Sequence, residues 1–424
     1  MSASASETYD AVVVGAGPAG TATAAILAEA GHRVALLDKN TFPRYRVGES
    51  LIPHCWFPLD RLGLVEKLDQ SDFIVGKNSV QFVSEEGERS KPYYFFEHRD
   101  HASSRTWQVV RSEFDQMLLD NAVEKGAELF TGTVAKNLLR ENGVVVGVTA
   151  GEATLDSGGA TREFRARVTV DASGRETFAQ RENSWRVGDQ VLKKLAVWTY
   201  FEGAQRDEGL DAGATTVAYV GGTGWFWYIP LVGDKVSVGV VADPDYLYRE
   251  GRDPDEIFAR EVRLQPWIEA HLRPGRKTSK CRVTSDFSYR SRYSSEDGLV
   301  LTGDAFAFLD PVFSSGVYLA LQSGVTAGDS IAEALAANDV TAPRFQKYSD
   351  DLCHQIESMR NLVYMFYDPT FHFGPFFRVH PDLREAVTDC LIGNLSRDYG
   401  PLFEAARLFL ELPEPLAHGR PLRA

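Results

Sequence analysis

The sequence predicts an α/β protein: a lobe that opens strand, glycine turn, helix, strand, interrupted by an inserted antiparallel β-sheet and followed by a helical C-terminal region. Three observations predict it. A glycine-rich turn near the N-terminus separates an apolar β-branched run from an alanine-rich stretch. Strand-to-turn segments of similar kind recur at 168–174 and 298–305. The stretches between them alternate apolar and polar residues and carry turn signals.

The first element runs from Asp10 through Ala11-Val12-Val13-Val14 into Gly15-Ala16-Gly17-Pro18-Ala19-Gly20, then a helix to Glu29, a stop at Gly31, and a second buried strand from Arg33 to Leu37 ending at Asp38. Each part suits a dinucleotide. Gly15 allows the tight turn, Gly17 lets backbone approach a pyrophosphate, Gly20 lets helix and strand pack, and Asp38 is placed for ribose hydroxyls. No second strand-embedded GxGxxG follows, and Gly221-Gly222-Thr223-Gly224 lacks a helix after it. A separate NAD(P)H domain is therefore not expected.

The choice of dinucleotide comes from distant segments. Val110-Arg111-Ser112-Glu113 leads a helix, Val168 to Val170 runs into Asp171-Ala172-Ser173-Gly174, and Gly298 to Thr302 runs into Gly303-Asp304-Ala305 before a long helix. This set resembles the FAD-binding fold of the para-hydroxybenzoate hydroxylase type, a Rossmann-like lobe of the glutathione reductase 2 type. The resemblance implies FAD, with Arg111 and Asp304 at its phosphate and ribityl groups. On this reading the FAD lobe comprises 8–77, 105–190 and 295–343, the substrate-side sheet 78–104 and 191–294, and the helical region 344–424.

Composition removes other classes. The 424 residues are 44% hydrophobic and 25% charged, a globular balance. With 45 basic and 59 acidic residues the net charge is −14, which repels nucleic acid and anionic lipid. Cys55, Cys281, Cys353 and Cys390 show no CxxC pair, so neither a disulfide framework nor a cysteine zinc site is expected, and His98 and His101 lack further ligands nearby. The first ten residues lack the features of a signal peptide, and 11–30, the nearest approach to a membrane span, reads as soluble structure. No metal, no membrane and a cytoplasmic location are the expectations.

Three further segments select a chemistry: Phe42-Pro43-Arg44-Tyr45-Arg46-Val47-Gly48-Glu49-Ser50-Leu51-Ile52-Pro53, Gly224-Trp225-Phe226-Trp227-Tyr228-Ile229-Pro230, and Leu309-Asp310-Pro311-Val312-Phe313-Ser314-Ser315-Gly316-Val317. Together they resemble the flavin-dependent halogenases over nearly the whole chain. The second matches that family's WxWxIP signature, and the others its flavin-flanking loops, which implicates Arg46, Ser50, Pro311 and Gly316 in cofactor binding. Trp225, Trp227 and Ile229 alternate along a strand and share one face, where their bulk, with Pro230 and Phe313 beside it, separates an organic substrate from the flavin. Plain sheet core is the alternative for these aromatics.

The resemblance implies that reduced FAD and O2 oxidise chloride or bromide to hypohalous acid, which travels through a tunnel to a lysine. Halide contacts map to the backbone amides of Ser315 and Gly316, at a helix N-terminus whose dipole suits an anion. The lysine maps to Lys77 in Gly76-Lys77-Asn78, ahead of Lys67 and Lys91, although a lysine at a strand entrance is usually a solvated charge. Tryptophan halogenases place a glutamate where this chain has Phe313, so the expected substrate is a ring already activated, of phenol or pyrrole type. A flavin reductase is the expected donor of FADH2. The substrate is a small-molecule aromatic, free or tethered to a carrier protein. The acidic net charge favours the free form unless a basic patch, to which Arg378 and Arg384 could contribute, receives the carrier.

Two features stay open. The aromatic-rich segment Tyr364 to Phe377 either covers an aromatic site or packs the C-terminal helices, and Asp286 is an acid whose distance from the flavin bears on covalent attachment. The rival activities are an aromatic hydroxylase of the same fold, an isoprenoid-type FAD-dependent reductase, and a non-catalytic flavoprotein.

Overall fold

The computed structural model describes residues 8–153, 161–222, 224–285 and 288–422; Asp286 lies outside them. Strand β1 (Thr8–Val14) sits inside a parallel core, between β2 (Val34–Leu37) and a strand at Thr161–Asp171. A strand covered on both faces has no polar side. That is why Ala11 to Val14 is a continuous apolar run with every residue buried. Helix α1 (Pro18–Glu29) follows and buries Ala19 to Ala28, ten successive positions.

The glycines of the first turn answer to contacts. Gly15 has φ 105°, and a Cβ there would lie 2.3 Å from the Ala172 carbonyl oxygen; at Gly20 a Cβ would lie 1.8 Å from the Gly15 oxygen. Across this sheet, the order of the main path is Arg420–Pro421, Tyr293–Glu296, Leu299–Leu301, Thr161–Asp171, β1, β2, Glu128–Phe130. A hairpin of Thr133–Glu141 and Val144–Glu152 is attached to the Thr161–Asp171 strand. The parallel pairing of Arg420–Pro421 with Tyr293 and Ser295 brings the tail of the helical region back onto the cofactor sheet, which the sequence reading does not anticipate.

The second sheet has eight strands among the described residues. Its core is β3 (Ser79–Val83), β4 (Leu195–Glu202), β5 (Thr215–Val220), β6 (Gly224–Leu231) and β7 (Lys235–Ala242). It is antiparallel along β5, β6, β7 and β4, while β3 joins β5 in parallel. That one pair departs from the expected all-antiparallel insert, because β3 enters from the cofactor lobe by a route that no hairpin dictates. Trp225, Trp227 and Ile229 of β6 share a cluster with Trp198 and Val217, whereas Phe226 and Tyr228 pack on the other side with Val238, Val240 and Phe258. The face period of two is obeyed.

Lys77 ends a short separate ladder, Ile74–Lys77 paired with Thr106–Val109. The C-terminal region is led by helix α2 (Gln346–Tyr367), with shorter helices at Phe373–Val379, Arg384–Ile392 and Gly400–Ala406. No helix among the described residues is long and apolar enough to cross a membrane.

Gly239 in β7 is in register with Trp198 on one side and Trp227 on the other. A Cβ there would stand 2.3 Å from the Trp227 ring and 2.6 Å from Trp198 Cβ. Gly239→Ala is expected to cost about 1–3 kcal/mol of stability by overpacking, read by denaturant unfolding, and to shift the tryptophan emission.

Candidate active site

One cavity of about 640 Å³ runs between the two sheets, from the glycine turn of β1 to the indole face of β6. Gly15, Gly17, Asp38, Arg46, Ser50, Arg111, Asp304, Pro311 and Gly316 all line it, as do Trp225, Trp227 and Ile229. Gly20 does not; it serves the packing just described. Pro230 is buried but lies outside the lining, since strand alternation turns it to the face of Phe226 and Tyr228.

The residues at the first end fit a flavin dinucleotide. The first-turn amides of α1 have no intrahelical acceptors and open on the cavity behind Gly17. Asp38 Oδ2 accepts from the Ala16 amide at 2.9 Å and Oδ1 from the Asn40 amide at 2.8 Å, which fixes the carboxylate and leaves lone pairs for hydroxyls. Arg111 is more constrained than expected. Its Nε and Nη2 bind Asp115 at 2.9 and 3.2 Å, and its Nη1 donates to the carbonyls of Val47 and Gly48 at 2.9 and 3.2 Å. It therefore pins the 42–50 loop as well as lining the cavity. Burial pushes the Asp304 carboxyl up to about 6, against the pull of Arg175 and Arg111.

Lys77 is 3% exposed, not the solvated charge of an ordinary strand entrance. Its ammonium donates to Ser50 Oγ at 2.9 Å and to the Leu51 carbonyl at 3.0 Å, and lies 5.7 Å from the centre of the Phe95 ring. Ser50 faces the cavity and also bonds Thr215 Oγ1 at 2.9 Å, so one hydroxyl separates the cavity from the amine. Desolvation lowers the Lys77 pKa to about 7. Lys67 pairs with Glu124 at the surface and Lys91 is exposed.

At the far end, Asp310 accepts from the Val312 amide and shapes the turn that leads to the helix Gly316–Ala336. Ser314 takes φ 55°; Ser315 is the N-cap residue, 1% exposed, makes no side-chain capping bond and lies outside the cavity lining, whereas Ser314 and Gly316 are in it. Trp225 Nε1 donates to Tyr367 Oη at 2.7 Å, which donates to Asp310 Oδ1 at 3.0 Å; burial raises the Asp310 pKa to about 7. Phe313 is half-buried outside the lining, edge-on to Phe366 at 5.6 Å.

The aromatic-rich segment divides between its two readings. Phe366 and Tyr367 abut Trp225, Tyr219 and Phe313 behind the indole wall, while Phe371, Phe373, Phe376 and Phe377 cluster with His380 and Phe409. None of them lines the cavity. Arg378 and Arg384 are exposed, Arg384 over the Phe377 ring. His98 stacks on Tyr93 and His101 bonds Ser103, and the described residues hold no group of three metal-ligating side chains.

Residues 10–102 and 97–379 match the family model described as tryptophan halogenase. The chain belongs to that family. The halogenase is 32% identical over 390 residues to a 1H-pyrrole-2-carbonyl-[peptidyl-carrier protein] brominase of Pseudoalteromonas luteoviolacea, covering 91% of this chain and 92% of that one. It is 28% identical over 410 residues to the corresponding chlorinase of Pseudomonas fluorescens, covering 91% and 89%. Among solved structures, the flavin-dependent brominase Bmp2 superposes with a TM-score of 0.85 at 29% identity, over 95% of this chain and 98% of that one. The myxobacterial chondrochloren halogenase CndH gives 0.79 at 30% identity, over 94% and 93%. The halogenase is thus an FAD-dependent enzyme that uses halide and O2.

Several residues of the halogenase site escape motif reading. Trp198 adds a third indole to the cavity wall, 6.4 Å from Trp227, and Tyr200 on the same strand bonds the buried Glu49. Both lie on β4, which carries no signature; only its apolar alternation hinted at them.

Burying a protonated amine costs stability that a neutral one does not. Because the Lys77 pKa falls from its ordinary 10.5 to about 7, the unfolded chain binds the extra proton between those values, and this residue's contribution rises with pH across that window. A Lys77→Met variant should therefore melt higher relative to the parent at pH 6 than at pH 9. Paired thermal scans at the two pH values check it.

Proposed function

We propose that this chain chlorinates or brominates an electron-rich ring, a pyrrole ahead of a phenol, by way of hypohalous acid received at Lys77. The observation that carries this reading is the buried Lys77 amine held 2.9 Å from Ser50 Oγ, on the far side of the cavity wall. Reduced FAD, when bound, supplies the electrons that turn O2 and halide into hypohalous acid. The helix start at Ser315 and Gly316 holds the halide by amide donors, and the Trp225, Trp227 and Ile229 face fills the space an organic ring would need beside the flavin.

Near neutral pH a large share of Lys77 is the free amine. Its lone pair takes the halogen from hypohalous acid: an N–X bond forms, the O–X bond breaks, and the amine hydrogen leaves in water. The ring carbon then takes the halogen and its proton returns to nitrogen. Phe313, in place of an acid, supports a substrate that stabilises its own cationic intermediate. The pyrrole class and a carrier-bound form are supported by the activities for which the two relatives are named, which outweigh the preference for a free molecule that the net charge of −14 suggests. A separate flavin reductase supplies FADH2.

The test combines the chain with FAD, a reductase, NADH, halide, and a panel of carrier-bound pyrrole-2-carboxylate, free pyrroles, phenols and tryptophan. Mass spectrometry is expected to find halogen on the carrier-bound pyrrole first and none on tryptophan; halogen-free oxygen insertion overturns the reading in favour of a hydroxylase. Lys77→Ala is expected to consume reduced flavin as the parent does while losing halogenation on the order of a hundredfold. In the parent, halogen transfer should rise as pH passes through about 7, as the amine loses its proton; hypohalite formation should not follow the same curve.

A further inference from the structure

Halogenation with these reactants takes up a proton. An aromatic C–H, a halide ion, O2, FADH2 and one H⁺ give the aryl halide, FAD and two molecules of water, and only then do atoms and charge balance. The proton is needed in a cavity whose indole wall is buried.

A line of hydroxyls leads there from the surface. Glu49 lines the cavity and is 3% exposed. Tyr200 Oη donates to Glu49 Oε1 at 2.5 Å, and Tyr45 Oη lies 3.0 Å from Tyr200 Oη. Trp198 Nε1 donates to Tyr45 Oη at 2.9 Å, and Tyr45 is 43% exposed. These contacts fix a direction. An indole N–H only donates, so the Tyr45 oxygen accepts from Trp198; the Tyr200 hydrogen is committed to Glu49; the hydrogen between the two phenols is therefore that of Tyr45. Both O–H bonds point inward.

We propose that Tyr45, Tyr200 and Glu49 form a proton relay from solvent into the cofactor cavity. A solvent proton arrives on the Tyr45 oxygen, the Tyr45 proton passes to the Tyr200 oxygen, and the Tyr200 proton passes to Glu49. Each phenol ends with the hydrogen count it began with. The carboxylate becomes a carboxylic acid at the cavity wall, where its proton is available to the oxygen that leaves as water.

The charged surroundings suit a group that gains and loses a proton. Burial raises the Glu49 pKa, opposed by the hydrogen bond from Tyr200, the Gly48 amide and the nearby Arg111 guanidinium. The Arg282 guanidinium lies 4.1 Å from the centre of the Tyr45 ring at the outer end and holds the ring in place. The same bonds would also brace the 42–50 loop against β4, and the test separates relay from brace.

Three variants of the FAD-loaded protein are compared: Tyr45→Phe, Tyr200→Phe and Glu49→Gln. Glutamine keeps an acceptor for Tyr200, and so keeps a brace, but carries no titrating proton. Oxidation of reduced flavin and hypohalite trapped by a small scavenger are followed, steps that precede Lys77, so failure of the proposed substrate or of Lys77 leaves this test intact. The relay predicts that Glu49→Gln and Tyr45→Phe each slow hypohalite formation about a hundredfold at unchanged melting temperature. It predicts an altered solvent deuterium isotope effect, and recovery of Tyr45→Phe in high concentrations of imidazole buffer. In the oxidised, FAD-loaded protein acidified until Glu49 takes up its proton, an infrared carboxylic C=O band lost in Glu49→Gln should shift on transfer to D2O more slowly in Tyr45→Phe than in the parent. Parent-like rates in Glu49→Gln, or losses that track a fall in melting temperature without buffer rescue, overturn it.

Discussion

The hydrogen bond between the Lys77 amine and the Ser50 hydroxyl is the constraint on which the arrangement depends, because it holds a buried amine against the loop that lines the cavity. Ser50 belongs to the loop pinned by Arg111, and Lys77 to the ladder that leads into the second sheet. A desolvated amine requires partners, and those partners are the serine hydroxyl and one backbone carbonyl. Charge on the amine is therefore expensive, and the same burial that makes it so gives nitrogen a usable lone pair at neutral pH.

The indole end of the cavity on the other side of that serine is shaped by packing. Three indoles and an isoleucine crowd its far end, and the polar groups there are tied to one another: Trp225 to Tyr367, and Tyr367 to Asp310. This line connects the sheet, the long C-terminal helix and the turn that precedes the helix Gly316–Ala336. Tyr367 of α2 thereby ties the indole wall to that turn through one hydrogen bond on each side.

Much of the cofactor lobe was legible in the chain, since local geometry there depends on local residue type. Gly15, Gly20 and Asp38 sit where spacing put them, and the alternation of Trp225, Trp227 and Ile229 read correctly as one face. Lys77 could be singled out only through resemblance, because nothing in its neighbours announces that it is buried. Trp198, Tyr200, Tyr45 and Glu49 come together across 151 to 155 residues of chain, so their bonds follow from sheet register and loop placement, neither of which a local pattern encodes. The return of Arg420–Pro421 to the cofactor sheet is of the same kind: two residues carry too little pattern to declare a strand. Pro230 shows the opposite error, in which a motif is read as a unit although its members point to different sides.

The missing side chain at Gly239 has a bearing on how such a chamber is remodelled. The Trp227 ring occupies the space a side chain at 239 would take, so the room available to rings is divided among three neighbouring strands. Enlarging the chamber by shortening Trp227 would free room that a side chain at 239 can occupy, and a bulkier residue at 239 demands a trimmed partner on either flank. Relatives and engineered variants should therefore trade volume among positions 198, 227 and 239 in compensating sets, with single changes disfavoured.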